Sequence, residues 1–415
     1  MKKKDKIPKI RFADYDKPWC QLSLSEIATM HARIGWQNLR TSEFMNHGEC
    51  LLITGTDFKD GRVNYKTCHY VSKGRYDQDK NIQIHNGSIL ITKDGTLGKV
   101  AYVQDLPMQA TLNAGVFNVT IKDGELVNEK YLFQYLKAPF LMDYVSQRAT
   151  GGTIKHLNQN ILVDFPIEMP EVNEQKEIGE FFMNLDNLIL MHQNEIERLS
   201  CVRKAMIEQM FPQNGADVPA VRFGQYKKPW RLCQFSEIFT ERHIIDTISD
   251  EYPQLAFTIE EGVIRPEDKK TNKRDFLIID KATKKYLQTE YDDIIYNPAN
   301  VIYGAIHRNA LGKGCVSPIY KIFYTDQDST FMECIVRHPR FIKEISRSME
   351  GTVKKLRTLK PKAFLEMSAY IAPTIEEQKQ IGEYFRQMDR LIEIEKEELE
   401  KIQHIKSTCL EKMFV

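Results

Sequence analysis

The chain has 415 residues, 42% of them apolar and 28% charged, with a formal net charge of +1. That length supports two or three domains with proper cores in an ordinary soluble globular protein, and no apolar run is long enough to span a membrane. The eight cysteines (20, 50, 68, 201, 233, 315, 334 and 409) form no C-x-x-C pair. They read as reduced thiols in a cytoplasmic protein, not as a zinc site or a disulfide frame, and the basic start Met1-Lys2-Lys3-Lys4 leads into no apolar signal core.

In chain order, the first globular stretch opens with "PKIRFADYDKPWCQLSLSEI" at 8–27 and reads as mixed α/β with several short strands. Within it, "GSILITKDGTLGKVAYV" (87–103) predicts a strand, a glycine turn and a second strand. Thr92, Lys93, Thr96 and Lys99 put donors on that turn. "GTIKHL" (152–157), with Lys155, closes the stretch. We place the first globular domain at 1–168.

A helix follows over 169–211, opening "NEQKEIGEFF". Its apolar residues Ile178, Phe182, Leu185, Ile189, Ile196, Leu199, Met206 and Met210 alternate in steps of three and four, broken once by His192 and once by Arg203. That 3.5-residue period predicts a coiled-coil seam. Roughly 38 residues at about 1.5 Å each make a rod on the order of 57 Å long. "PQNGADVPA", taken as a linker over 212–220, ends the first half.

The second half repeats the first. "PAVRFGQYKKPWRLCQFSEI" (219–238) matches ten of the twenty positions at 8–27, including Arg11/Arg222, Trp19/Trp230 and Glu26/Glu237. A second globular domain spans 221–371. Its segment "DDIIYNPANVIYGAIHRNALGKGCVSPIYKIFY" (292–324) predicts another strand–loop–strand, with Asn297, Asn300, His307, Arg308 and Lys313 at the loops. "GTVKKL" (351–356) echoes "GTIKHL" and sits in the basic run "VKKLRTLKPK", which carries Lys354, Lys355 and Arg357. Arginine, lysine and asparagine are the types that read purine edges, while lysine, threonine and backbone N–H hold phosphates. The run is therefore a plausible phosphate track, and a solvated hairpin is the plain alternative for each loop.

The second helix, 372–415, opens "EEQKQIGEYF" and aligns with the first without a gap at an offset of 203. Thr374-x-x-Glu377 is a capping-box pattern. Its seam is Ile381, Phe385, Met388, Ile392, Leu399, Ile402, Cys409 and Met413, broken at Glu395 and Lys406, the partners of His192 and Arg203. Antiparallel pairing predicts Arg203 opposite Glu395. Phe181, Tyr384, Leu188 and Leu391 remain for another protein or for the adjoining domains. Charge separates the two kinds of segment: 169–218 carries −5 and 372–415 carries −3, while 219–371 carries +5.

Catalytic signatures fail. "DGTLGKV" lacks the spacing and the Lys-Ser/Thr pair of a phosphate-binding loop. "YNPANV" is not the Asn/Asp-Pro-Pro-Tyr loop of amino-methyltransferases, and Glu267-Asp268-Lys269 is too short a match to indicate a nuclease. No metal-ligand cluster is apparent.

"NEQKEIGEFFMNLD" and "EEQKQIGEYFRQMD", the "RF…Y.KPW" openings and the "GTIKHL"/"GTVKKL" closings together resemble the DNA-specificity subunits (HsdS) of Type I restriction–modification enzymes, over the whole chain. The resemblance implies an α+β, pseudo-twofold tandem duplication, in which two α/β target-recognition domains are separated by two long helices forming an antiparallel coiled coil. It implies that each domain reads one half of a split site on double-stranded DNA. The helices would set the spacer and dock two methylation (HsdM) subunits, to which restriction (HsdR) subunits add. S-adenosylmethionine, ATP and magnesium would then belong to the partners, and this chain would carry no catalysis of its own. A stand-alone two-domain DNA-binding regulator and a coiled-coil scaffold without DNA contact stay open on the residues alone.

Overall fold

The computed structural model describes residues 7–35, 38–95, 97–148, 157–213, 215–268, 284–349 and 357–414. The chain divides into two compact units, one of Met1–Gln193 with Glu397–Val415 and the other of Asn194–Lys396. Each long helix, Val172–Gln209 and Ile375–Met413, therefore gives its first part to one unit and its last part to the other.

In the first unit the two ends of the globular stretch are zipped together before the helix starts. Strand Cys20–Ser23 pairs antiparallel with Pro166–Met169, Cys20 facing Met169. An antiparallel sheet then runs in the order Ala28–His31, Val116–Ile121, Ile89–Thr92, Val100–Tyr102. The predicted hairpin is its last pair, with Ile89 opposite Tyr102 and Ile91 opposite Val100. A second sheet orders His69–Val71, Cys50–Ile53, Ala110–Leu112 and Gln83–Ile84, and contains one parallel pair, Ala110–Leu112 beside Cys50–Ile53.

The second unit repeats the plan. Arg231–Gln234 zips to Ser368–Ile371. The equivalent sheet orders Phe239–Glu241, Lys321–Thr325, Ile294–Tyr296 and Ile306–Arg308. Segment 292–324 is thus four strands and not two, because Gly314–Val316 leaves for a different sheet beside Tyr286–Thr289.

The repeated helix opening is an internal lock. Glu174 accepts from Arg11 at 2.7 and 2.8 Å, and Glu377 accepts from Arg222 at 2.7 and 2.9 Å. Each pair is two-pronged and buried, the geometry in which a guanidinium binds a carboxylate best. Gln175 takes the Asn128 N–H and donates to the carbonyls of Leu126 and Pro170; Gln378 takes the Asp328 N–H and donates to the Ala372 carbonyl. Asn128 and Asp328 in turn cap the short helices Glu129–Lys137 and Ser329–Val336. Those caps press on the next motif residue. A Cβ on Gly179 would meet the Tyr131 backbone nitrogen at 2.7 Å, and one on Gly382 would meet Asp328 Oδ1 at 2.7 Å. Glutamate, glutamine and glycine in E-Q-x-x-I-G are therefore explained by packing.

The capping box at Thr374 is half realised. Thr374 Oγ1 accepts the Glu377 N–H at 3.3 Å, but the Glu377 carboxylate serves Arg222 and Trp230. A buried guanidinium outcompetes a backbone N–H for that acceptor.

The helix ends carry the other half of the repeat. Phe414 stacks on Phe182 at 5.5 Å and meets Trp19, Tyr135 and Phe140 in the first unit's core. Phe211 stacks on Phe331 at 5.6 Å and meets Trp230 and Phe385 in the second. Each closing "MF" is an aromatic plug, worth more than its area because ring pairs add edge and stacking terms.

Candidate nucleic-acid interface

The exposed turns are held by backbone clamps. In the first unit the Thr92 N–H donates to the Lys99 carbonyl at 2.9 Å, and the Thr92 hydroxyl accepts the Lys99 N–H at 3.0 Å. The N–H of Leu157 then donates to the Lys93 carbonyl at 2.8 Å. In the second unit the N–H of Leu359 donates to the Pro298 carbonyl at 3.0 Å. Leu157 and Leu359 are both fully buried just ahead of the short helices Gln159–Val163 and Pro361–Leu365. Leu359 thus holds in the second unit the place that Leu157 holds in the first; Leu356 of "GTVKKL" lies outside the described residues.

Accessibility sorts the predicted contacts. Lys99, Lys313 and Arg357 are exposed, and Lys93, Asn297 and Asn300 are half-buried. Lys93 Nζ stands 5.4 Å from the centre of the Phe117 ring, and Lys313 pairs with Glu251. Asn297 uses its carbonyl oxygen on the N–H groups of Ala299 and Asn300, so it shapes the turn. Thr92 and His307 are buried and supply no surface to a duplex in this conformation. The His307 ring bonds the Ile259 carbonyl at 2.8 Å, and burial, reinforced by Arg337, pulls its pKa down to about 4, so it is neutral. Arg308 is tied to Asp292 at 2.8 Å and lies 3.6 Å from Glu333. Thr96, Lys155, Lys354 and Lys355 lie outside the described residues.

The first unit also has a polar cleft of 490 Å³ over its sheet end, lined by Arg33, Lys93, Asp94, Phe117, Asn158 and Gln159. Arg33 is buried; its Nε donates to the Leu112 carbonyl at 2.9 Å and its Nη2 to Thr111 at 3.1 Å. Among the described residues no group of three His, Cys, Asp or Glu side chains comes together as a metal site, and no helix is long and apolar enough to cross a membrane.

The helical seam follows the predicted period. Ile178, Phe182, Leu185, Ile381, Phe385, Met388 and Ile392 are buried, and Ile189, Ile196, Leu199, Leu399 and Ile402 are half-buried. The direction is antiparallel within each unit: Phe182 meets Phe414 while Asp186, further along, meets Lys406, and Phe385 meets Phe211 while Asp389 meets Arg203. Arg203 therefore pairs with Asp389 and not with Glu395. The correction is six residues, since the true register puts the motif's closing aspartate, present in both copies, opposite the seam cation. Phe181 and Tyr384 are covered by Phe12 and Phe223, whereas Leu188 and Leu391 stay exposed.

Residues 17–200 match the family described as Type I restriction modification DNA specificity domain. A Type I restriction enzyme specificity subunit of Methanocaldococcus jannaschii, MjaVIII, is 22% identical over 403 residues, covering 90% of this chain and 91% of the relative. Over most of its length the chain is thus similar to Type I restriction–modification specificity subunits. A second relative from the same organism, the putative MjaX specificity subunit, is 24% identical over 363 residues, covering 85% of this chain and 83% of its own length. The S subunit of a Type I system from M. genitalium shares the fold, with a TM-score of 0.64 at 14% identity and 99% of both chains covered.

Three cleft residues that sequence reasoning missed are instructive. Arg33, Asn158 and Gln159 carry no local pattern. They reach one cleft only because distant strands and the Leu157 clamp bring them there, and a list of basic loops does not find them.

Proposed function

We propose that this specificity subunit is the DNA-reading part of a Type I restriction–modification complex, each recognition domain reading one half of a bipartite duplex site. The two long helices set the spacer and dock two methylation subunits, with restriction subunits joining through the complex. Methyl transfer, with its S-adenosylmethionine, and cleavage, with ATP and magnesium, are the work of those partners in the cytoplasm. The observation that carries the reading is the separation of roles along the chain. The lock, the plug and the clamp are built twice alike, while the side chains on the turns differ: Lys93 and Lys99 in one, Asn297, Asn300 and Lys313 in the other. A repeated frame with unlike contact residues fits two readers of unlike half-sites, and rigid elements make their spacing readable.

The test is single-molecule sequencing for methylated adenines in cells carrying the partner genes, with and without this gene. A split motif should appear only with it. Exchanging residues 219–371 with another family member should change one half of the motif and leave the other. Matched four-residue insertions near Glu195 and near Glu398, about 6 Å of helix each, should lengthen the spacer alone. Methylation unchanged by loss of the gene would reject the reading, and altered half-sites after the insertions would reject the spacer role.

A further inference from the structure

The first unit has a cleft of 330 Å³ where its two long-helix parts meet the short helix Glu129–Lys137 and the small hairpin Phe58–Val63. Its charged lining is Lys59, Asp60, Arg62, Lys137, Asp186 and Lys406, four cations against two carboxylates. Asp186 is already saturated. Lys137 donates to both of its oxygens at 3.0 Å, Lys406 to one of them, and Gln134 to the other at 2.8 Å. Two ammonium groups on one sheltered carboxylate leave a positive charge without a counter-ion in the cluster. On the hairpin, Arg62 donates to the neutral amide of Asn187. The Lys59 side chain has no hydrogen-bond or ion-pair partner among the described residues.

The second unit has a cleft of 390 Å³ at the matching place. Asp389 corresponds to Asp186, Arg203 to Lys406, and Arg337 to Lys137, each of the last pair at the end of its short helix. There the charges are settled within the unit. Arg203 pairs with Asp389 at 2.5 Å, Arg337 with Glu333 at 3.6 Å and Arg386 with Glu383. Each arginine has a carboxylate of its own. The uncompensated charge therefore belongs to the first unit and is not a by-product of the duplicated plan.

We propose that the first unit's cleft binds the phosphate group of a small molecule, held by Lys59, Arg62 and Lys406. Charge selects the anion. The lining carries a surplus of two positive charges, where a carboxylate brings only one negative charge. A phosphate monoester brings about −1.5 to −2 near neutral pH, with three acceptor oxygens for three donor side chains. Lys137 is not among them, because its ammonium already serves Asp186 and the Asp60 carbonyl at 3.3 Å. The anion gains charge-assisted hydrogen bonds and completes the cluster. Free phosphate and a phosphorylated nucleoside share this chemistry; for the second, Ile189 and Leu190 supply an apolar wall and Gln193 and Gln403 two amides in the same cleft.

Isothermal titration calorimetry of the full chain, near neutral pH in about 0.1 M chloride, tests this with inorganic phosphate, AMP, adenosine and acetate as probes. Phosphate or AMP should bind with a stoichiometry of one, and Lys59→Gln/Lys406→Gln should weaken it by at least about tenfold. Lys204→Gln, in the second unit's cleft, should leave it unchanged. Thermal unfolding without ligand checks each fold. If the double variant melts early, Lys59→Gln alone, which breaks no bond, should still weaken binding by about threefold or more. AMP binding more tightly than phosphate, with adenosine silent, would assign the site to a phosphorylated nucleoside. AMP binding no more tightly would assign it to free phosphate, and either result supports the proposal. Acetate matching phosphate, or binding that survives the variants, would overturn it. So would displacement of bound phosphate by a random-sequence duplex, which would give the cleft to the nucleic-acid backbone. A wild-type chain that takes up neither phosphate nor AMP would also overturn it and leave the proposed function standing, since a split methylation motif does not depend on this cleft.

Discussion

Arg11 with Glu174 and Arg222 with Glu377 make the same two-pronged pair, to within 0.1 Å, and each arginine also donates to a backbone carbonyl at 2.7 Å, Lys17 in one unit and Lys228 in the other. The seam acids differ. Asp186 is sheltered and faces two lysines, whereas Asp389 is half exposed and faces one arginine. The contrast teaches which part of a duplicated scaffold is held fixed by its own chemistry. A buried ion pair leaves little latitude, because losing one partner strands the other, while an exposed pair tolerates drift.

The sharpest way to break the comparison is at the lock. Glu174→Ala and Glu377→Ala each leave a buried guanidinium without its carboxylate and should cost about 3–5 kcal/mol. The carboxylates are fully buried and the arginine side chains 10% and 8% exposed, so the two losses should be alike. Urea unfolding of the full chain checks this. A large loss from one variant and a negligible loss from the other would show that the two locks are not equivalent. Trp230 sharpens the point, since its Nε1 donates to Glu377 at 3.2 Å, a bond that Trp19 does not make with Glu174.

At the seam the expectation reverses, and the two variants should differ. Asp186→Asn leaves Lys137 and Lys406 facing one another with only a neutral amide between them, and should cost about 2–4 kcal/mol. Asp389→Asn breaks a pair whose acid is 54% exposed, and should cost about 1 kcal/mol or less. Equal losses would mean that the surplus charge of the first cluster is already relieved by solvent.

Much of this was legible in the chain itself. Period and offset located both helices, their seams and the duplication, because those features depend on local spacing. The hairpin at 89–102 was legible for the same reason. What was hidden depends on partners distant in sequence. The glutamate in E-Q-x-x-I-G reads as a helix start and becomes half of an ion pair only when Arg11 is brought across 163 residues. Arg203 was recognisable as a break in the seam, but its partner turned on a register that sequence alone does not fix. Thr92 and His307 have the right chemistry for DNA and the wrong exposure, and exposure follows from the sheets packed over them.

The smallest effect is a pH dependence confined to the first cluster. Burial, with Lys406 nearby, pulls Lys137 down to about 8 against the opposing pull of Asp186. A cation with a lowered pKa binds its proton less tightly when folded than when unfolded. Unfolding therefore takes up a proton between about pH 8 and the ordinary lysine value near 10.4, and stability from this group rises with pH across that window. The rise is bounded by about 1.4 kcal/mol per pH unit, and because the proton is shared within the cluster we expect on the order of 1 kcal/mol between about pH 7.5 and 9.5. Lys137→Met should flatten it, since Asp186 keeps Lys406 and Gln134 as partners. The second unit has an arginine, Arg337, in the matching place instead of a lysine, so hydrogen exchange on that unit should show no such trend. If the wild type and Lys137→Met have the same slope, the first cluster carries no surplus charge and the difference between the two seams is one of exposure alone.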